Sequence, residues 1–202
     1  MRVTYKKAYP FRLATTSFIY PAGYSDNVRR LAPWVDEIEL LLLEGDHLPD
    51  SAEIHQLKKL ADDQDISYNV HLPMDIHLGA VDASRRDRSI SVVVQALERS
   101  APLAPTTYTL HLTVDDSVQT SAEIKAWQSR CMESLEDLMQ RTKIPSRWLS
   151  VETLDFNPQW LVDIVEPMDL AICIDVGHLL RFGYDLASAI DLFEQRTTTY
   201  HL

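Results

Sequence analysis

Residues 171–178 read Ala-Ile-Cys-Ile-Asp-Val-Gly-His, so a carboxylate and an imidazole stand three residues apart where an apolar run ends. The run 172–174 shows no alternation of polar and apolar residues, which is typical of a parallel strand covered on both faces. Gly177 permits a tight turn directly after Asp175. The stretch therefore predicts a buried strand that delivers Asp175 and His178 to the carboxyl edge of a parallel sheet.

Four other short apolar runs carry a residue of metal-ligand type in the same place. They are Val70-His71-Leu72, Leu110-His111-Leu112, Val151-Glu152-Thr153-Leu154 and Tyr200-His201-Leu202. Any one of these residues alone is more often an ordinary polar strand end. Five together predict a metal site, because the carboxyl ends of parallel barrel strands converge on one rim even when they are distant in sequence.

Glu152 lies in the middle of this order and is predicted to bridge two metals. In that arrangement His71 and His111 bind one ion, whereas Asp175 and His201 bind the other.

The apolar runs alternate with helical patterns, which predicts a parallel sheet built from repeated βαβ units. The predicted strands are 12–20, 36–44, 66–72, 106–113, 147–154, 169–175 and 197–202. The predicted helices begin near Asp26, Asp50 or Ser51, Ala83, Thr120 or Ser121, Asn157 and Asp185. The third of them is predicted to span 83–100, and a helical turn is predicted over 178–182. The sequence contains neither a Gly-x-Gly-x-x-Gly motif nor a Walker loop, so an α/β barrel of the TIM (β/α)8 type fits better than an open nucleotide-binding sheet. A complete barrel has an eighth strand and about 250 residues, so the last βα units are expected to be absent from this sequence.

Composition limits the class of protein. With 202 residues, 46% of them hydrophobic, the chain is predicted to form one domain over residues 1–202, with residues 1–10 as a loose leader. It has no apolar run long enough to span a membrane and no secretory leader pattern, which predicts a cytoplasmic protein. Cys131 and Cys173 lack CxxC spacing and are interpreted as inert packing thiols. The net charge of -11 argues against extended contact with nucleic acid.

Several residues near the predicted rim are candidate substrate contacts. His178 is expected to reach a further metal or the substrate, or else to cap the next helix. Glu44 ends the second predicted strand, whereas Glu39 lies nearer the start of that strand and is interpreted as structural. The remaining candidates are Ser17 and Tyr20 at the end of the first strand, and Asp75 and His77 in the loop after the third.

These motifs resemble those of the xylose-isomerase-like TIM barrels that include apurinic endonuclease family 2. The matching residues are His71 in His-Leu-Pro, His111 in Leu-His-Leu, Glu152 in Val-Glu-Thr-Leu, Asp175 and His178 in Ile-Asp-Val-Gly-His, and His201 in Tyr-His-Leu. In the endonuclease branch the matching positions bind up to three metals, commonly zinc, and a metal-activated water attacks a phosphodiester. The resemblance therefore implies divalent metals here, zinc first and then iron or manganese, with Glu152, Asp175 and His178 as catalytic residues. The Asp-x-His after strand seven and the final strand-eight Glu of that branch have no counterpart in this sequence, which leaves a third metal without its ligands and the second one ligand short.

Within this superfamily, residues 9–21, 36–40 and 71–79 are most similar to the cobamide-remodelling hydrolases. Those enzymes cleave the phosphoribosyl linkage in the nucleotide loop of corrinoid cofactors. The resemblance implies a metal-dependent, phosphodiesterase-like hydrolase whose small-molecule substrate is a cobamide. Bound metals would lower the pKa of a water from about 15.7 to about 7 and stabilise charge on the phosphoryl oxygens.

Three other interpretations remain open. A sugar isomerase or epimerase of the same superfamily would use one metal and a pair of Glu residues to move a proton at carbon, but the predominance of His on the rim favours the hydrolase. A DNA repair endonuclease is less well supported, because an acidic surface repels a duplex. A non-enzymatic fragment is the third, and an open edge at strand one or strand seven would favour a homodimer formed by strand pairing.

Overall fold

The computed structural model describes residues 4–115 and 118–202. Over this part of the chain, seven parallel strands form one sheet in which each strand pairs with the next in chain order. The strands are β1 (Ala14–Thr16), β2 (Glu37–Leu41), β3 (Ser67–His71), β4 (Tyr108–Leu110), β5 (Leu149–Glu152), β6 (Ala171–Asp175) and β7 (Thr197–His201). The α-helices are α1 (Tyr24–Leu31), α2 (Ser51–Gln64), α3 (Ala83–Ser100), α4 (Ser121–Thr142), α5 (Gln159–Val165), α6 (Val176–Phe182) and α7 (Leu186–Phe193).

The sheet curls into a half-barrel. β2 and β7 are five strands apart, which in a flat sheet would separate them by about 24 Å, at about 4.8 Å per strand. Nevertheless, His201 Nε2 at the end of β7 lies 3.0 Å from Glu39 Oε2 in β2. The strands therefore surround a common interior, and the predicted α/β TIM-barrel-like fold is confirmed.

β6 is buried on both faces, as its apolar run predicts. Ala171 to Ile174 have no exposed surface, since helices cover the outer face of the sheet and neighbouring strands enclose the inner one. Each large aliphatic side chain buried in this way contributes roughly 1.5–3 kcal/mol. The buried strands hold their carboxyl ends in fixed positions on the rim.

Helix starts agree with the sequence prediction where a capping side chain is present. Asp50 accepts a hydrogen bond from the backbone N of Glu53 at 2.8 Å, and Thr120 and Glu123 form a reciprocal capping box at the start of α4. α3 covers the predicted residues 83–100. These boundaries could be predicted because a cap is a local contact within four residues.

Two helical segments differ from the prediction. α1 begins after Gly23, so Asp26 lies inside its first turn and forms an ion pair with Arg29 at 2.7 Å instead of capping the helix. The helical turn predicted over 178–182 starts two residues earlier, as the seven-residue helix α6, so β6 and β7 are joined by two helices. Each helix in the described part of the chain is too short or too polar to cross a membrane.

Two residues of the predicted leader contact the residues just before β2. The backbone N of Tyr5 donates to the carbonyl of Trp34 at 3.2 Å, and the backbone N of Lys7 donates to Asp36 Oδ1 at 2.6 Å. These contacts connect Tyr5 and Lys7 to the segment that enters β2, and the division into a leader and one domain stays a prediction. Residues 1–3 of the predicted leader lie outside the described residues.

Candidate metal centre

The carboxyl ends of five neighbouring strands bring the predicted ligands together. His71, Glu152, Asp175 and His201 are the last residues of β3, β5, β6 and β7, and His111 directly follows β4. Because all the strands are parallel, these ends lie on the same rim of the barrel. The strand-end pattern in the sequence thus corresponds to one cluster in space.

Glu152 is the centre of this cluster. Its Oε2 atom lies 3.1 Å from His71 Nε2 and 2.7 Å from His111 Nε2, and its Oε1 atom lies 3.1 Å from His201 Nδ1. The Glu152 side chain is only 2% exposed. A buried carboxylate is therefore contacted by imidazoles from three different strand ends.

Asp175 and His178 lie beside Glu152 and combine the two roles that the sequence left open. Asp175 Oδ1 accepts a hydrogen bond from the backbone N of His178 at 2.6 Å, which caps α6. The His178 ring nevertheless faces the cluster, because its Nδ1 atom is 3.7 Å from Asp175 Oδ2 and 3.8 Å from Glu152 Oε1. The backbone of His178 thus takes part in the cap of α6 while its ring lies next to the cluster.

The donor set fits divalent metal ions. Among the described residues, three groups have ligand atoms within 4.8 Å of one another, and all three include Glu152. The groups are His71 with His111, Cys173 with His201, and Asp175 with His178, each together with Glu152. Imidazole, carboxylate and thiolate are the ligands that zinc takes in proteins, and three protein ligands with a fourth position open are typical of a catalytic site.

The predicted division of ligands between two metals stays a prediction. In the donor groups His71 lies with His111, Asp175 with His178, and His201 with Cys173. Asp175 Oδ2 is also 3.8 Å from His201 Nδ1, so the two ligands predicted for the second ion lie close together. Helix α6 begins directly after Asp175, which places His178 beside that carboxylate.

Electrostatics keep the central carboxylate charged. Burial alone would raise the pKa of Glu152, but hydrogen bonds with His111, His201 and His71 outweigh it and hold that pKa below its usual range. Burial would likewise lower the pKa of His201, yet its contacts with Cys173, Glu152 and Glu39 raise it. Burial would also lower the pKa of His71, but the hydrogen bond and charge of Glu152, the charge of Glu39 and the Leu72 carbonyl together raise it. Negative charge is therefore concentrated at Glu152, as cation binding requires.

Glu39 and Cys173 belong to the cluster, although the sequence interpretation assigned both to structural roles. Glu39 contacts His201 at 3.0 Å, and Cys173 is a member of a donor group in which burial raises its thiol pKa to about 11. Strand alternation was the signal that could have identified them. Cys173 lies two residues before Asp175 on the same face of β6, and Glu39 lies between the buried residues Ile38 and Leu40 of β2.

Three predicted substrate contacts follow β1 and β2 and belong to none of the three donor groups among the described residues. Glu44 and Ser17 line a cavity of about 360 Å³ beside the ends of β1 and β2. Glu44 also pairs with His47 at 2.9 Å, and Ser17 Oγ accepts a hydrogen bond from the backbone N of Leu41 at 3.1 Å. Tyr20 is outside the lining of this cavity, with its ring under the guanidinium of Arg30 at 5.0 Å.

Asp75 and His77 line a second cavity, of about 440 Å³, in the loop after β3. His77 Nδ1 is 3.2 Å from Thr113 Oγ1, and Thr113 is two residues beyond His111. This cavity therefore adjoins the segment that follows His111, and substrate contact through Asp75 and His77 stays a prediction.

Comparison with known proteins places the chain in a family. Residues 33–202 match the family described as xylose isomerase-like TIM barrel. The chain belongs to this family. Among curated proteins, this xylose isomerase-like barrel is 25% identical over 198 residues to the probable endonuclease 4 of Mycoplasmoides gallisepticum. That alignment covers 89% of this chain, and the chain spans 59% of the length of that relative.

Solved structures of the family share the fold. A D-tagatose 3-epimerase-like protein superposes with a TM-score of 0.78 at 17% identity, covering 95% of this chain and 76% of that protein. Endonuclease IV from Thermus thermophilus superposes with a TM-score of 0.68 at 16% identity, covering 91% of this chain and 70% of that protein. At these identities the likeness establishes the barrel architecture only.

Glu39 provides a test of the xylose isomerase-like centre. The variant Glu39→Gln is expected to weaken metal binding roughly 10- to 100-fold, because partners that orient a metal-binding imidazole typically contribute that much. Competition with a chromophoric chelator measures the affinity. The matched control is Glu166→Gln, at an exposed site on the end of α5, and equal affinity in the two variants would show that Glu39 does not support His201.

Proposed function

We propose that this protein is a metal-dependent hydrolase of phosphoesters. One observation carries the proposal: the buried carboxylate of Glu152 is common to three adjacent donor groups. Such a carboxylate can bridge ions held side by side, and paired ions suit the displacement of an oxygen at phosphorus. Glu152 would be the shared ligand, with His71 and His111 on one side and Asp175, His178, Cys173 and His201 on the other.

One imidazole is already oriented for this role. His71 Nδ1 is 2.9 Å from the carbonyl of Leu72, and a carbonyl oxygen only accepts hydrogen bonds, so Nδ1 carries a proton. Nε2, which lies 3.1 Å from Glu152 Oε2, is the nitrogen left to bind a cation. Divalent ions bound there would supply Lewis acidity toward a phosphoryl oxygen and a water of lowered pKa.

The proposed substrate is a cobamide, cleaved at the phosphoribosyl linkage of its nucleotide loop. This choice is supported by the resemblance of residues 9–21, 36–40 and 71–79 to cobamide-remodelling hydrolases. The net charge of -11 supports a small-molecule substrate over a nucleic acid duplex. The buried free thiols of Cys131 and Cys173 agree with a reducing, cytoplasmic location.

The direct test is incubation of the purified protein with adenosylcobalamin or pseudocobalamin and zinc, iron or manganese. The expected product is cobinamide phosphate, detected by mass spectrometry, and a chelator should abolish its formation. Absence of turnover with all three metals would contradict the proposed substrate. Cleavage of an abasic DNA duplex under the same conditions would instead favour an endonuclease.

A sugar epimerase is the second candidate, and one feature of the cluster favours it. Two carboxylates, Glu152 and Asp175, lie 3.1 and 3.8 Å from the same ring nitrogen of His201, so one ion could take both carboxylates and the imidazole. The structural likeness to a D-tagatose 3-epimerase-like protein is consistent with this candidate. Metal analysis separates the two: a single bound ion and interconversion of D-tagatose would support the epimerase, whereas two or more ions would support the hydrolase.

A further inference from the structure

The second cavity has the chemistry of an anion site. It lies between the loop after β3 and the first turns of α3, and its volume is about 440 Å³. Its lining consists of Asp75, His77, Arg85, Arg88, Ser89 and Val92. Two guanidinium groups thus face one cavity, although the net charge of the chain is -11. Neither arginine belongs to the metal centre described above.

The two arginines form few ion pairs with other described residues. Arg85 has one long ion pair, 4.0 Å from Asp115 Oδ1, and Arg88 forms no ion pair or side-chain hydrogen bond within residues 4–115 and 118–202. Their neighbour Arg86 is different, because it donates to the carbonyls of Ala80 and Val81 and is therefore structural. The exposed guanidinium groups of Arg85 and Arg88 remain available to a ligand.

The opposite wall of the cavity is held in place by the fold. The backbone N of His77 donates to Ser89 Oγ at 2.8 Å, and Ser89 Oγ donates to the carbonyl of Arg85 at 2.8 Å. Ser89 is buried, so these bonds connect the loop to α3. The lining carboxylate, Asp75, accepts a hydrogen bond from the backbone N of Gly45 at 3.2 Å. The site is therefore preformed, which lowers the entropic cost of binding.

His77 completes the lining as a neutral hydrogen-bonding group. Burial and the charge of Arg85 lower the pKa of His77 below its usual value, so the ring is uncharged at neutral pH. One ring nitrogen is near Thr113, and the other has no hydrogen-bond partner among the described residues, so it can contact a ligand oxygen.

From this arrangement we infer that the cavity binds the phosphoryl group of a phosphoester through Arg85, Arg88 and His77. Guanidinium groups match phosphate geometry with paired hydrogen bonds, and charge-assisted bonds are about twice as strong as neutral ones. The inference rests on the proposed function and deepens it, because a phosphoryl subsite beside the donor cluster would hold either the diester substrate or the monoester product. A diester and a monoester both present phosphoryl oxygens to these side chains, and the experiment below distinguishes between them.

The test is calorimetric titration of the full chain, with and without a chelator and at constant ionic strength. The probes are inorganic phosphate and ribose 5-phosphate for the monoester, and dimethyl phosphate for the diester. Binding is expected to survive chelation, and to weaken roughly tenfold in Arg85→Gln and in Arg88→Gln, since each removes a charge-assisted contact. Arg141→Gln is the matched control, because Arg141 lies on α4 and pairs with Asp137.

Each result decides something specific. Binding of the monoester alone assigns the subsite to the product, and binding of the diester assigns it to the substrate. Loss of all phosphate binding on chelation, or equal affinity in Arg88→Gln and Arg141→Gln, would overturn the inference. Phosphoester hydrolysis that persists without such binding removes only this subsite, whereas chelator-resistant binding without hydrolysis removes only the proposed function.

Discussion

Replacing Glu152 with glutamine is expected to abolish stoichiometric metal binding and the proposed hydrolysis together. Glutamine keeps the shape of the side chain but removes its negative charge and replaces one ligand oxygen with an amide nitrogen that cannot bind a cation. Because Glu152 is common to all three donor groups, the loss should exceed the roughly 10- to 100-fold reduction that follows loss of a partner that merely orients a ligand. Plasma mass spectrometry of the dialysed protein measures the metal content, and product formation from a cobamide measures the activity.

Two comparisons make the Glu152→Gln result specific. Glu166→Gln changes an exposed carboxylate outside the cluster and should retain the metal content of the unchanged protein. Circular dichroism should show the same helix content in both variants, which separates loss of ligation from loss of fold. Full metal occupancy in Glu152→Gln would refute the shared-ligand arrangement and with it the basis of the proposed hydrolase.

Trp127→Ala is expected to have the largest effect on stability. Trp127 is 1% exposed and packs edge-on against Phe156, with ring centroids 5.2 Å apart, and against Trp160 at 6.5 Å. Its Nε1 atom donates to the carbonyl of Thr113 at 3.0 Å. Truncation leaves a cavity and removes that donor, so the free energy of unfolding should fall by about 3–5 kcal/mol. Urea denaturation measures this change, and the melting temperature should fall by about 10 °C or more.

A graded series separates the two contributions of the indole ring. Trp127→Phe keeps most of the ring but loses the donor to Thr113, and should cost about 1 kcal/mol for the hydrogen bond in addition to any packing loss. Trp148→Ala is the control, because Trp148 is 44% exposed and its loss should change stability by about 0.5 kcal/mol or less. Equal stability of Trp127→Ala and Trp148→Ala would show that the aromatic cluster does not support the barrel.

Stability and the donor cluster are connected through the loop that Trp127 supports. Thr113 contacts both Trp127 and His77, and it follows His111 by two residues. Gly79 is in contact with the same indole ring, since a Cβ atom there would lie 2.3 Å from Trp127 Nε1. The aromatic cluster therefore helps position the rim segment between the donor cluster and the second cavity.

Local patterns in the sequence predicted the helices better than the strand lengths. α3 occupies the predicted residues 83–100, because caps and helical periodicity are contained within a few residues. The first strand was predicted to span 12–20, but only Ala14–Thr16 pair with β2. Strand extent depends on where the neighbouring strand offers hydrogen bonds, and that information lies elsewhere in the chain.

The sequence by itself determined which residues stand at the carboxyl ends of the strands, since apolar runs and turns specify where each strand ends and which way its last side chain points. Only the tertiary structure decided which residues those side chains contact. It placed Cys173 in a donor group with Glu152 and His201, brought Glu39 to His201 across 162 positions, and placed Tyr20 beside Arg30. The physical reason is the curl of the sheet, because the accumulated twist of seven strands, and no local pattern, brings the end of β7 back to β2.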